Sequence, residues 1–228
     1  MIKAIFFDCW WTVIRPAFSS LDELTNIRIK MLQDLTGLSK FRIIKGLDFL
    51  FTEINNKDRD YSVMERDIIL SNYFGVPADG SLGLVFAESM LKIPVIPVCG
   101  IDNLLIALKN KGKKLGIISN TPLGNVERIW LKKLNLLQYF DTLIFSIEIG
   151  KRKPHKKIFN AAMESIGVHP NESIHIGDSP ETDILGAKSA GMMAIYLNTR
   201  KIEFPKNMPE PDCREDSVEK LKRILVQL

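Results

Sequence analysis

MIKAIFFDCWWT, residues 1–12, is an apolar run that stops at an aspartate. From Ile2 to Phe7 the only charge is Lys3, the pattern of a strand buried on both faces of a parallel sheet. Asp8 then stands at the carboxyl end of that strand. In open α/β sheets this edge is where ligands bind, so a carboxylate delivered there by a rigid strand is placed for chemistry. Asp is also common as the cap of a turn after a strand. Both readings stand until the rest of the chain is read.

A chain of 228 residues can bury a full core, and 46% hydrophobic with 25% charged residues is an ordinary globular composition. No apolar run approaches the length of a membrane span, and MIKAIFFD meets a charge too soon for a signal peptide, so the expected location is the cytoplasm. Cys9, Cys99 and Cys213 are widely spaced and fit neither a disulfide framework nor a zinc site. The net charge of +4 is modest. Its densest cluster, Lys151 to Lys157, lacks interleaved aromatics and a nucleic-acid module, so no nucleic-acid partner is expected.

After Thr12 the periodicity becomes helical. Leu21, Leu24, Ile27, Met31 and Leu35 form one apolar stripe behind Ser19 and Ser20 as possible caps, and further helices are expected at about 39–56, 61–74 and 81–91. From Ile93 strands alternate with helices. KLGIISN (114–120), TLIFS (142–146), SIHIGD (173–178) and 192–197 read as strands, with helices between them and a last one near 217–227. Alternation of this kind implies βαβ units and a doubly wound, Rossmann-like parallel sheet. The expected division is an α/β core from residues 1–15 and 93–228, with an inserted helical cap at 16–92.

Polar groups recur at the strand ends: Asp8 with Thr12, Ser119 with Asn120, Lys153 in a loop, Asp178 with Asp183. In parallel crossovers these ends share one edge of the sheet. Carboxylates at Asp8 and Asp178 suit a hard divalent cation such as Mg²⁺, and Ser119 and Lys153 suit the oxygens of a phosphate. An aspartate that attacks phosphorus approaches a dianion, which a metal and a lysine make tolerable.

With these residues assembled, the chain resembles the haloacid dehalogenase superfamily of aspartate-nucleophile hydrolases along nearly its whole length. Asp8 and Thr12 match its DxDxT motif, Ser119 its second, Lys153 and Pro154 its third, and Gly177, Asp178 and Asp183 its GDxxxxD motif. The resemblance implies that Asp8 is the nucleophile, that Thr12 and Ser119 support phosphate or backbone, and that Lys153 joins nucleophile and phosphate. It further implies Mg²⁺ held by Asp8, the carbonyl of Trp10 and Asp178, with Asp183 a ligand or just behind one. The helical insertion resembles the family's small cap, which closes over the site and selects the substrate.

One departure stands out. Phosphatases of this family carry a second Asp two residues after the nucleophile, which protonates the leaving group and activates water; here that position is Trp10. Trp11 replaces a frequent Gly. Both indoles either pack beneath the cap or line the pocket, with Asn120 as a further substrate contact. The function expected from the resemblance is an Mg²⁺-dependent phosphatase of a small phosphorylated metabolite, acting through an aspartyl phosphate and favouring good leaving groups. The alternatives are a 2-haloacid dehalogenase, where halide needs no acid to leave, and a phosphonatase-like enzyme using a cap lysine among Lys30, Lys40, Lys45 and Lys57. A module that binds a phosphorylated ligand without turnover is the last. His155 and Glu148 are the nearest candidates for a replacement acid.

Overall fold

The structure is a computed structural model that describes residues 1–17 and 22–228. The chain begins with β1 (Ala4–Phe7) and β2 (Ile14–Pro16), then runs through α1 (Asp22–Thr36), α2 (Lys40–Asn55), α3 (Val63–Phe74) and α4 (Ser81–Leu91). It continues with β3 (Val95–Pro97), α5 (Ile101–Asn110), β4 (Lys114–Ser119), α6 (Gly124–Lys133), β5 (Thr142–Phe145), α7 (Ser146–Ile149) and α8 (Lys156–Ser165). The last elements are β6 (Ser173–Gly177), α9 (Leu185–Ser189), β7 (Met193–Leu197), β8 (Cys213–Glu215) and α10 (Val218–Leu225).

Six strands form one parallel sheet in the order β5-β4-β1-β6-β7-β8. β1 is buried at every position because alternate residues serve opposite faces. Ile5 and Phe7 enter a core shared with α5, α6 and α10, whereas Ala4 and Phe6 enter a second core shared with α8 and α9. That two-sided burial is what the continuous apolar run dictates.

Helices α1 to α4 bury a separate cluster that includes Leu32, Ile43, Leu50, Leu70 and Phe86. Asp67, itself buried, accepts the N–H groups of Gly80 and Gly83 at 3.0 Å each, which satisfies the open start of α4. A side chain at Gly83 would strike the Val63 carbonyl, so glycine sets how closely α4 approaches α3. Ser39 caps α2, and Ser62 with Glu65 forms a capping box on α3. The expected caps Ser19 and Ser20, and Leu21, lie outside the described residues.

Three short strands escape the sequence reading. β2 and β3 pair antiparallel, Ile14 opposite Pro97 and Pro16 opposite Val95, so the entry to the helical segment and the exit from it form one ribbon. β8 adds a parallel edge beside β7. Each has three residues, too few for a period to show. The helix expected between the strands 173–178 and 192–197 opens with a π-helical turn at Pro180–Ile184 before α9. Among the described residues no helix is long and apolar enough to cross a membrane, and no cysteine is paired.

Candidate active site

β4, β1 and β6 are neighbours at the centre of the sheet, so Ser119, Asp8 and Asp178 emerge side by side at its carboxyl edge. The Asp8 N–H is fixed to the Ile176 carbonyl at 2.8 Å, which continues the β1–β6 ladder through the aspartate. Lys153 arrives from the loop after α7. Its buried Nζ donates to Asp8 Oδ1 at 2.6 Å, Asp183 Oδ1 at 2.7 Å and the Ile118 carbonyl at 2.8 Å, which uses all three ammonium protons. Asn120 holds that loop by its backbone: Nδ2 donates to the Lys153 carbonyl at 3.0 Å and Oδ1 accepts the Lys153 N–H at 2.7 Å.

Asp183 is over-determined. Oδ1 also faces His175 Nε2 at 3.0 Å, and Oδ2 accepts the Ser179 N–H at 3.1 Å. A side chain at Gly177 would collide with this carboxylate, which explains the glycine of the GD pair: only a bare backbone lets Asp183 fold back under the strand end. The π-helical turn supplies the register that brings it there.

Oxygens of Asp8, Asp178 and Asp183 lie within 4.8 Å of one another. Burial, with Asp183 adding and Lys153 opposing, pushes the Asp8 carboxyl up to about 6. Burial, then the charges of Asp8 and Asp183, pushes Asp178 up to about 8. Burial would raise Asp183 too, but Lys153 and His175 hold it well below the carboxylate range. For Lys153 burial acts downward and is overcome by Asp183 and Asp8, so the amine stays charged. Arg200 Nη2 sits 2.7 Å from Asp178 Oδ2. The angle is not that of a hydrogen bond, and this buried oxygen has no hydrogen-bond donor among the described residues. Three crowded carboxylates, two of them driven toward protonation, form an all-oxygen donor set that a hard divalent cation fits.

The other residues singled out in the sequence are placed as follows. Thr12 is buried and its Oγ1 has no partner among the described residues. Ser119 is buried and donates to Glu127 Oε1 at 3.0 Å. Trp10 packs edge-on against Trp130, with ring centroids 5.1 Å apart. Trp11 takes a left-handed φ of 62°, a conformation that explains why glycine suits this position. Its ring lies under Arg200 and lines a cavity of about 620 Å³ with Arg15, Thr199 and residues of α10. His155 caps α8 at the surface and Glu148 pairs with Arg128, so neither is turned to Asp8. Lys30, Lys40, Lys45 and Lys57 are all exposed.

Several buried polar groups were not anticipated. Glu127 lies under Ser119 with Cys9 and Thr121 beside it; burial, then Asp8, raises it to about 7, and its Oε2 has no partner among the described residues. Its place three and four residues before Trp130 and Leu131, on the apolar stripe of α6, is the signal that betrays it. His175 alternates with Ile174 and Ile176 in a buried strand, so its burial was equally readable. Contacts from the helical segment to the core were not. Asp58 pairs with Lys151 and accepts the Arg152 N–H on its carbonyl at 2.7 Å, and Asp60 accepts the Ser146 hydroxyl.

The sequence model of the haloacid dehalogenase-like hydrolases matches residues 85–197. Glyceraldehyde 3-phosphate phosphatase of Methanothermobacter thermautotrophicus is 30% identical over 236 aligned residues, which span 99% of this chain and 100% of the relative. This chain belongs to the haloacid dehalogenase-like hydrolases. A solved phosphatase of this superfamily from Thermococcus onnurineus is 27% identical with a TM-score of 0.69 over 98% of each chain. The 2-haloacid dehalogenase of Pseudomonas syringae superposes with a TM-score of 0.75 over 100% of this chain and 99% of its own, at 21% identity, a likeness of fold. As a member of the family this chain is a hydrolase, and the cluster around Lys153 is where its motif residues meet.

Proposed function

We propose that this hydrolase cleaves phosphate monoesters of small molecules. The observation that carries the reading is the Lys153 ammonium shared between Asp8 and Asp183, with Asp178 in the same carboxylate cluster. Asp8 is the nucleophile: a carboxylate oxygen bonds to phosphorus, the ester P–O bond breaks, and the alcohol oxygen leaves with the electron pair. Water then attacks phosphorus of the aspartyl phosphate, releasing inorganic phosphate and restoring Asp8. Lys153 orients Asp8 and offsets the charge of the incoming dianion. Asp183 and Asn120 position Lys153, and Thr12 and Ser119 support the phosphate or its loop. Asp8, the Trp10 carbonyl, Asp178 and Asp183 would hold Mg²⁺, which supplies electrostatic shielding of the phosphoryl oxygens when bound.

The helical segment 16–92 acts as a cap over this edge, with Trp11 and Asn120 at the substrate's margin and Trp10 packed behind. The phosphatase name of the relative from Methanothermobacter thermautotrophicus supports phosphate as the group removed. Trp10 has no proton of useful acidity to give an alkoxide, so leaving groups already stable as anions react fastest. The test is turnover of p-nitrophenyl phosphate, an alkyl phosphate and 2-chloropropionate, each with and without Mg²⁺. Mg²⁺-dependent phosphate release, faster from the aryl ester, is expected. Chloride release insensitive to chelator would select the dehalogenase reading instead.

A further inference from the structure

A second buried site of opposite sign lies between the helical segment and the core. A cavity of about 230 Å³ is walled on the core side by Asn120, Thr121, Pro122, Leu123 and Arg152, residues that flank Ser119 and Lys153. On the helical side it meets Arg28 of α1, Arg66 of α3, and the rings of Phe51 and Phe86. Arg28 and Arg66 are only 7% and 5% exposed. Their guanidinium carbons lie 4.4 and 5.3 Å from the centroid of the same Phe86 ring, so two like charges share one aromatic neighbour.

The counter-charge is too small. Asp60 is the carboxylate of the cavity wall, and it is already engaged by the Ser146 hydroxyl. Arg66 Nη2 and Arg152 Nε approach it only to 4.0 and 3.7 Å, beyond hydrogen-bond range. Arg28 donates to Ser89 Oγ at 3.3 Å and pairs with no carboxylate among the described residues. Two buried guanidinium groups, with the partly exposed Arg152 beside them, stand against the one carboxylate of the cavity wall, which leaves positive charge in surplus there. Burial, and for Arg28 the nearness of Arg66, lowers Arg28 to about 10; burial likewise takes Arg66 to about 10, against the pull of Asp60. Buried surplus charge of this kind is costly unless something of opposite sign completes it.

Resting on the phosphatase reading, we infer that this cavity takes a second oxyanion of the substrate, so that the molecule hydrolysed carries a carboxylate or a further phosphoryl group besides the ester at Asp8. Guanidinium forks match both groups in geometry. At about 30 Å³ per water the volume has room for about seven or eight small groups, enough for a second anion on a chain of a few carbons. Phe51 and Leu123 provide apolar contact for the carbons between the two anionic ends.

The test uses matched compounds as competitive inhibitors of p-nitrophenyl phosphate turnover and, independently, as calorimetric ligands. They are glycerol 3-phosphate, 3-phosphoglycerate, which replaces its terminal hydroxymethyl by a carboxylate, and propane-1,3-diyl bisphosphate. At least one of the two bearing a second anion should bind roughly tenfold to hundredfold more tightly than glycerol 3-phosphate. Which of them does so separates carboxylate from phosphate recognition. In Arg28→Gln and Arg66→Gln that preference should fall toward unity, with Arg28→Lys intermediate because charge remains and the fork is lost. Equal binding of all three compounds by the unmodified protein would overturn the inference, whatever the fate of the variants. Loss of the phosphatase reading would show separately, as absent aryl phosphate turnover while the calorimetric preference persists.

Discussion

The molecule buries two polar clusters, and they are opposites. At the sheet edge, Asp8, Asp178 and Asp183 outnumber Lys153 and Arg200; across from it, Arg28, Arg66 and Arg152 outnumber Asp60. The first is built on strand ends and the turns that follow them, the second mostly on helices that share no core with the sheet. Each carries a surplus of one sign. In the function proposed above the edge takes a cation and the chemistry and the cavity takes an anion and the recognition, so a variant in one should leave the other largely in place.

The largest expected effect tests that division. Asp8→Asn replaces the nucleophile by an amide and should lower kcat for aryl phosphate by at least about 1,000-fold, while calorimetric binding of 3-phosphoglycerate survives within a few fold. Joint loss of turnover and binding would show that the two clusters act as one.

The next effect lies beneath the acidic edge. Glu127, raised to about 7, binds a proton in the folded protein that the unfolded chain releases near the ordinary glutamate value. Its contribution to stability is therefore complete below the unfolded value and is lost as pH rises through about 7. Glu127→Gln keeps the shape and removes the charge, so it should flatten that decline and raise stability at pH 8 by about 1–3 kcal/mol. Urea denaturation at pH 5.5 and pH 8 measures both. A decline unchanged in the variant would mean that another group carries it.

The smallest effect comes from adding an acid where the edge lacks one. Trp10→Asp gives up the edge-on contact with Trp130, so some stability is lost, but alkyl phosphate turnover should rise relative to aryl phosphate turnover by about tenfold, below the full range of an evolved general acid. Steady-state rates on the two esters decide it. An unchanged ratio would mean that leaving-group protonation is supplied from elsewhere.

What could be read from the sequence follows the same division. β1, β4 and β6 declare themselves because two-sided burial demands unbroken apolar runs, and a carboxylate or hydroxyl that ends such a run can point only along the edge. Asp8, Ser119 and Asp178 are legible in this way, whereas Lys153 in its loop and Asp183 beyond the strand end are legible only through the resemblance to the family's motifs; the structure brings Asp8, Lys153, Asp178 and Asp183 into one cluster. The cavity was not. Arg28 stands between Ile27 and Ile29, and Arg66 in the charged run Glu65-Arg66-Asp67 after Met64, so a helical wheel shows charges beside apolar residues without telling which neighbouring helix each side chain meets. That is decided by Gly83 and Phe86, which fix how the helices cross and where the shared ring stands. The ribbon of β2 and β3 was hidden for a different reason, since Pro16, Pro94 and Pro97 obscure a strand pattern already too short to repeat.

That ribbon has a mechanical consequence. The covalent chain passes between the two layers only through it, and other ties between them include Asp58 with Lys151 and Arg152, Asp60 with Ser146 and Arg152, and Met90 against the sheet's core. A turn of the ribbon about its own length would break those ties and change the separation between Asp8 and the three arginines, as the jaws of a calliper open about one pivot. Under the proposal above, a ligand anchored at both jaws would hold them at its own length, and the molecule would gauge its substrate by span as well as by charge.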